Sequence, residues 1–374
     1  MRRRVPTMSP HGSTCIVRAI EARTIGILAL AAAVAAVRVY QCAELPQETG
    51  DVVRNLLHGV AVDTHGIASA AQPLKTLAPA WADVAWARFP YNYPPLALAF
   101  FALVSAISPT VFFAKLALTA IEAVNAYLVR RLSGSALLGV FYWSSPLSIW
   151  WVSREGQFEP LQSVFMLLAL LAAGSMPFAA GLSVALGISV KATAAALAPL
   201  IFWKASRGGR RALAACTIGF VAGLLPLAIS QWAYGGISNI ARYSSLLAVN
   251  PYYWNPFAPM FEGNPIWRIV ANELASYGLL AILLALAWRS RQWLAYLAPI
   301  AFLVFCKTHG NVLPWYFVLM PAFLMTVPDP RWRFALVALC PLLDVASVHS
   351  LVHGASGPSR FHGLPSAFAP YDLR

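Results

Sequence analysis

Several groups of residues in this chain have the types and spacings that chemistry requires. Three carboxylates, Glu44, Glu48 and Asp51, follow one another just after the first apolar run. An oriented carboxylate can take the proton from a hydroxyl nucleophile in the transition state. The stretch "SREGQFEPLQS" carries Arg154, Glu155, Gln157 and Glu159 beside Trp150 and Trp151. Lys191 stands in the middle of the apolar "GLSVALGISVKATAAALAPLIF", and "CKTHGNVLPWYF" sets Lys307, His309 and Asn311 before an aromatic pair. Cations held at a membrane boundary are what a lipid phosphate needs. Lys115 and Glu122 lie two helical turns apart on one face, with Asn125 three residues further on.

Each group also has a plainer reading. Asp51 opens a short amphipathic segment and would serve there as a helix cap. Lys115 and Glu122 would tie their helix to its neighbours or to each other. Arg154, Glu155, Gln157 and Glu159 would look much the same in a solvated loop, and His309 could be a satisfied loop histidine. For Lys191 two readings stand open. Either the helix breaks and the ammonium faces a cavity, or the ammonium pairs with a buried carboxylate.

The elements that must position these residues are membrane helices. Of 374 residues 59% are hydrophobic and 11% charged, with a mean hydropathy of +0.64, values at odds with a soluble domain. The apolar runs are long rather than alternating, so the expected fold class is all-α, a polytopic transmembrane bundle and not a barrel. Spans are expected near 24–40, 110–131, 135–152, 158–174, 178–203, 211–233, 266–288, 292–306, 312–327 and 332–349, with a shorter candidate at 93–107, about ten or eleven in all. Residues 1–23 read as a cytoplasmic segment and 24–349 as one transmembrane catalytic domain, with 41–109 as its first outer loop. Residues 350–374, rich in Gly, Pro and Ser, read as a disordered tail.

Lys and Arg number 27 against 14 acids. The basic clusters abut apolar runs, as cytoplasmic loops do, so no nucleic-acid partner is expected. The N-terminal run reads as an uncleaved signal anchor. Five scattered cysteines predict neither a disulfide framework nor a metal site. Two threadings of 93–203 satisfy the charges. In the preferred one, 93–107 dips into the outer face, 178–203 is two short spans broken near Lys191, and Arg130 and Arg131 fall inside. Trp81 and Trp86, with Asp83 and Arg88, would then form an interfacial helix before the dip.

In order along the chain, these pieces resemble the GT-C superfamily of integral-membrane glycosyltransferases that use polyprenyl-phosphate sugars, above all its mannosyltransferase branches, the first mannosyltransferase of GPI-anchor synthesis among them. The matching residues are Asp51 in the outer loop, "YNYPPLAL" (Tyr91 to Leu98), the helix with Lys115, Glu122 and Arg131, "SSPLSIWWVSREGQFE", Lys191 to Pro199, and "PWYFVLMP". The resemblance implies transfer of a hexose, mannose foremost, from a polyprenyl-phosphate donor to a hydroxyl of a lipid or glycan acceptor on the periplasmic or luminal side, with inversion. It implies Asp51 as general base. Glu48, Arg154, Gln157, Glu159, Lys191, Lys307 and His309 become substrate-binding candidates. It places the protein in a plasma membrane of bacterial type, among membrane lipid, with its site on the outer face.

One departure from the family pattern concerns metal. Some relatives carry Asp-x-Asp where this chain has Asp51 followed by Val52 and Val53. No divalent metal or other cofactor is therefore expected, and Glu48 stands as a rival base. The competing classes are a transporter or lipid flippase and a non-catalytic subunit of the same fold. Paired repeats with matching broken helices would favour a transporter, and the sequence shows none.

Overall fold

A computed structural model describes residues 10–47, 50–78, 84, 87–247, 266–308, 314–353 and 366–371. Among them the regular elements are helices throughout, in keeping with the all-α expectation. In chain order they are α1 (Pro10–Ala43), α2 (Asp51–His65), α3 (Leu74–Leu77), α4 (Pro95–Ile107), α5 (Val111–Ser133), α6 (Ala136–Trp143), α7 (Pro146–Ser148), α8 (Glu159–Ala172) and α9 (Pro177–Ile188). There follow α10 (Ala198–Arg207), α11 (Arg210–Tyr234), α12 (Gly236–Leu247), α13 (Ile266–Arg289), α14 (Leu294–Thr308), α15 (Met320–Leu324), α16 (Pro330–Leu339) and α17 (Val345–His353). A π segment, Ile149–Arg154, and 3-10 segments such as Ala192–Leu197 and Pro314–Leu319 fill the breaks.

Among the described residues three helical stretches are long and apolar enough to cross a membrane: Thr24–Ala43 of α1, α5 and α11. Other runs expected as spans are built from shorter pieces. The run 135–152 divides into α6, α7 and the π segment, because Pro146 cannot donate to a continuing ladder. The run 178–203 breaks at Lys191, whose backbone is extended (φ −159°, ψ 131°). There the Ser189 carbonyl accepts from the Leu96 amide at 3.0 Å, and the Lys191 carbonyl accepts from the Gln162 side chain. Carbonyls supplied from outside need no continuing helix.

Two helix pairs approach closely through glycine. A Cβ at Gly181 of α9 would overlap the Cys216 carbonyl oxygen of α11, and one at Gly219 would overlap the Phe178 carbonyl oxygen. Likewise a Cβ at Gly59 of α2 would overlap the Phe101 carbonyl oxygen of α4. Small residues of this kind let backbones meet where lipid supplies no hydrophobic drive between helices.

Buried polar ties lock the middle of the bundle. Arg38 of α1 donates to the Trp143 carbonyl (2.7 Å), Ser153 Oγ (3.0 Å) and Ser148 Oγ (3.1 Å). Ser148 in turn donates to Glu122, which also accepts from Tyr142 (3.0 Å) and Asn125 (3.0 Å). Lys115 donates instead to the carbonyls of Gln41 (3.2 Å) and Glu44 (2.6 Å) at the end of α1. The lysine and the acid on α5 thus serve different neighbours and do not pair.

The ends of the helices form two groups. One gathers residues 41–47, the start of α5, the 154–159 turn and Lys191. At the other, Arg333 donates to the carbonyls of Val327 (2.6 Å) and Leu132 (3.4 Å), with Lys204 near enough to feel its charge. Within the stretch read as a disordered tail, residues 366–371 dock beside the start of α5. There Phe112 N–H donates to Ala367 (2.8 Å), Tyr371 N–H donates to Pro109 (2.7 Å), and the Phe112 and Phe368 rings lie 4.6 Å apart.

Candidate functional site

Asp51 begins α2 but does not cap it. The N-cap residue is Gly50, and no side chain caps the helix. Nor is α2 a short surface helix, because residues 51–61 are all buried, packed against α4 and α5. One Asp51 oxygen lies 3.2 Å from Arg54 Nη2, and the other accepts weakly from Gln157 Nε2 at 3.5 Å.

Gln157 is delivered by the turn that closes the π segment. Backbone N–H groups of Glu155, Gly156 and Gln157 donate to Trp150, Val152 and Trp151 at 2.8–3.1 Å. Gly156 has φ +73°, and a Cβ there would sit 2.7 Å from the Val52 side chain. Only glycine suits that position on both counts, and its packing on Val52 seats the turn on α2.

The helix breaks at Lys191, and of its two open readings the structure shows the pairing with a buried carboxylate, Glu159. Around the pair stand the rings of Tyr316, Phe158 and Tyr93, with centroids 4.2, 5.1 and 5.8 Å from the ammonium. Tyr93 packs edge-on to Phe158 (4.7 Å) and lies 5.1 Å from the Arg54 guanidinium. One aromatic wall therefore joins the Asp51–Arg54–Gln157 group to the Lys191–Glu159 pair. Both cations already face a carboxylate, which leaves the cluster close to neutral.

Arg154 is drawn elsewhere. It donates to Gln41 Oε1 (2.9 Å), lies 3.8 Å from Glu44 and sits over Trp150, while Glu155 accepts from the Gln47 amide (2.9 Å). Lys307 falls in the last turn of α14, and Glu48, His309 and Asn311 lie outside the described residues, as do Trp81, Asp83 and Trp86. Of the eight nominated residues, Asp51, Gln157, Glu159 and Lys191 come together.

Sequence reasoning missed Arg54, Asn55 and His58, and it held Tyr91 and Tyr93 only within "YNYPPLAL", with no site role. The signal was present as polar residues at positions 51, 54, 55 and 58, which follow one helical face. His58 is buried, and burial beside the Arg54 charge pulls its pKa down to about 3. Its ring meets Tyr91 edge-on at 5.1 Å. A separate cavity of roughly 240 Å³ is lined by Phe141, Tyr142, Pro146 and Pro321 among others, and by none of the residues of this cluster.

Comparison with models of protein families, with curated proteins and with solved structures found no match for this chain.

Proposed function

We propose that this chain is an integral-membrane glycosyltransferase of the GT-C kind. In this reading it transfers a hexose, mannose foremost, from a polyprenyl-phosphate donor to the hydroxyl of a lipid or glycan acceptor. The shorter apolar helices then complete a multi-pass bundle of ten or eleven crossings, and the end holding Asp51 and Lys191 faces the periplasm or lumen.

The observation that carries the reading is the meeting of Asp51 with Gln157, Glu159 and Lys191 on one aromatic wall. A carboxylate and a caged cation are thereby joined by one wall of rings, and in this reading the lipid substrate reaches them sideways from the bilayer. In the step itself the acceptor oxygen bonds to the anomeric carbon, whose bond to the phosphate oxygen breaks with inversion. The acceptor proton passes to Asp51, and the lipid phosphate leaves with the bonding pair. Arg54 and Lys191 supply the positive charge that the leaving phosphate needs, and Glu159 keeps Lys191 in place between turnovers.

The test is transfer of radiolabelled hexose from synthetic polyprenyl-phosphate mannose to a membrane lipid extract. Wild type is run beside Asp51→Asn and Glu48→Gln. The expected outcome is transfer by wild type, with a loss of roughly 10²–10⁴-fold in Asp51→Asn, whose folding is checked by thermal melting because the substitution removes the carboxylate that faces buried Arg54. Full activity in Asp51→Asn with loss in Glu48→Gln would move the base to Glu48. No transfer from mannose or any other polyprenyl-phosphate sugar would favour a transporter or a non-catalytic subunit.

A further inference from the structure

Beyond Asp51, the polar face of α2 continues into a buried group that the transfer step does not use. Asn55 (0% exposed), His58 (1%) and Tyr91 (0%) have side-chain polar atoms with no hydrogen-bonding partner among the described residues. For Asn55 this holds for both the amide nitrogen and the oxygen, for His58 both ring nitrogens, and for Tyr91 the hydroxyl. A buried polar group left unpaired costs about 1–3 kcal/mol, so a cluster of them calls for a ligand or a structural role. The group adjoins the Asp51–Arg54 pair through α2 itself, on which Asn55 and His58 follow Arg54, and through Tyr93, whose ring lies 6.1 Å from that of Tyr91 and 5.1 Å from the Arg54 guanidinium.

We infer that Asn55, His58 and Tyr91 form a subsite for an uncharged, polyhydroxylated ring, a hexose, lying next to Asp51. An amide, an imidazole and a phenol each donate and accept, which matches hydroxyl groups that do the same. The aromatic rings of Tyr91 and Tyr93, 6.1 Å apart, offer apolar surface to the C–H face of a sugar. An uncharged ligand suits the group, because none of its three side chains carries a charge at neutral pH. His58, with its pKa pulled down to about 3, keeps one donor and one acceptor at neutral pH.

The subsite deepens the transferase reading by assigning where the sugar sits, yet binding can be measured without transfer. Purified protein in nanodiscs would be titrated with hexyl mannoside, glucoside and galactoside, and separately with decyl phosphate. The variants are Tyr91→Phe and Asn55→Leu, each near in volume to the residue it replaces. Binding of at least one hexoside by wild type is expected, weakened tenfold or more in each variant, with decyl phosphate binding unchanged. Because each variant deletes unpaired polar atoms, the free variants should melt at or above the wild-type temperature. If the variants melt lower and bind hexosides like wild type, the group is a structural core, as it would be around buried water, and the subsite falls. It falls equally if no hexoside binds. Hexoside binding without any transfer keeps the subsite and removes the transferase reading. Transfer with unaltered KM in both variants does the reverse. A KM raised for the donor alone assigns the ring to the donor sugar, and one raised for the acceptor alone assigns it to the acceptor.

Discussion

The group with the clearest titration behaviour is His58. An unfolded histidine titrates near 6.5, and this one is held at about 3 by burial and by the charge of Arg54. Below pH 6.5 the unfolded chain therefore takes up a proton that the folded chain refuses. Stability is full above that pH and falls as pH drops, by about tenfold in the folding equilibrium per pH unit. Melting temperatures of wild type should thus decline from pH 6.5 to 5.0, and His58→Gln should remove most of that slope. Equal slopes in the two proteins would show that His58 titrates normally.

Between elements, the Lys191–Glu159 pair joins the break after α9 to the start of α8. Removing one partner of a buried pair strands a charge, so Lys191→Met should cost about 3–5 kcal/mol. Lys191→Met with Glu159→Gln should recover most of it, read by thermal unfolding in detergent; an additive double variant would mean that the two groups do not interact. The close crossing of α9 and α11 gives a second expectation. Gly219→Leu would drive a side chain into the Phe178 carbonyl, lowering the melting temperature well beyond Gly278→Leu, where a Cβ meets nothing within 4 Å.

On the scale of the whole molecule, the docking of residues 366–371 beside the start of α5 ties the proposed topology to a test. In the proposed multi-pass reading, Phe368 lies on the same side of the membrane as Thr110, and Arg131, at the far end of α5, on the opposite side. In a background lacking native cysteines, Phe368→Cys should react with a membrane-impermeant maleimide added outside intact cells. Arg131→Cys should react only after permeabilisation. Labelling of both from one side would break the two-ended arrangement and the threading that depends on it.

Apolar content and run length determined an all-helical chain with helices long and apolar enough to cross a membrane, because hydrocarbon leaves a backbone few alternatives. Lys191 in the middle of an apolar run foretold a broken helix for the same reason, since an ammonium at that depth needs a partner or an opening. Asp51, Gln157, Glu159 and Lys191 were nameable from residue type and order. Their gathering was not, because it depends on Gly156 seating the turn on Val52 and on carbonyls satisfied by Leu96 and Gln162. Tertiary structure alone decided that α2 is buried over residues 51–61. Its polar face then becomes a chemical resource, because burial strips water from Asn55, His58 and Tyr91 and leaves their hydrogen bonds to be made by something else.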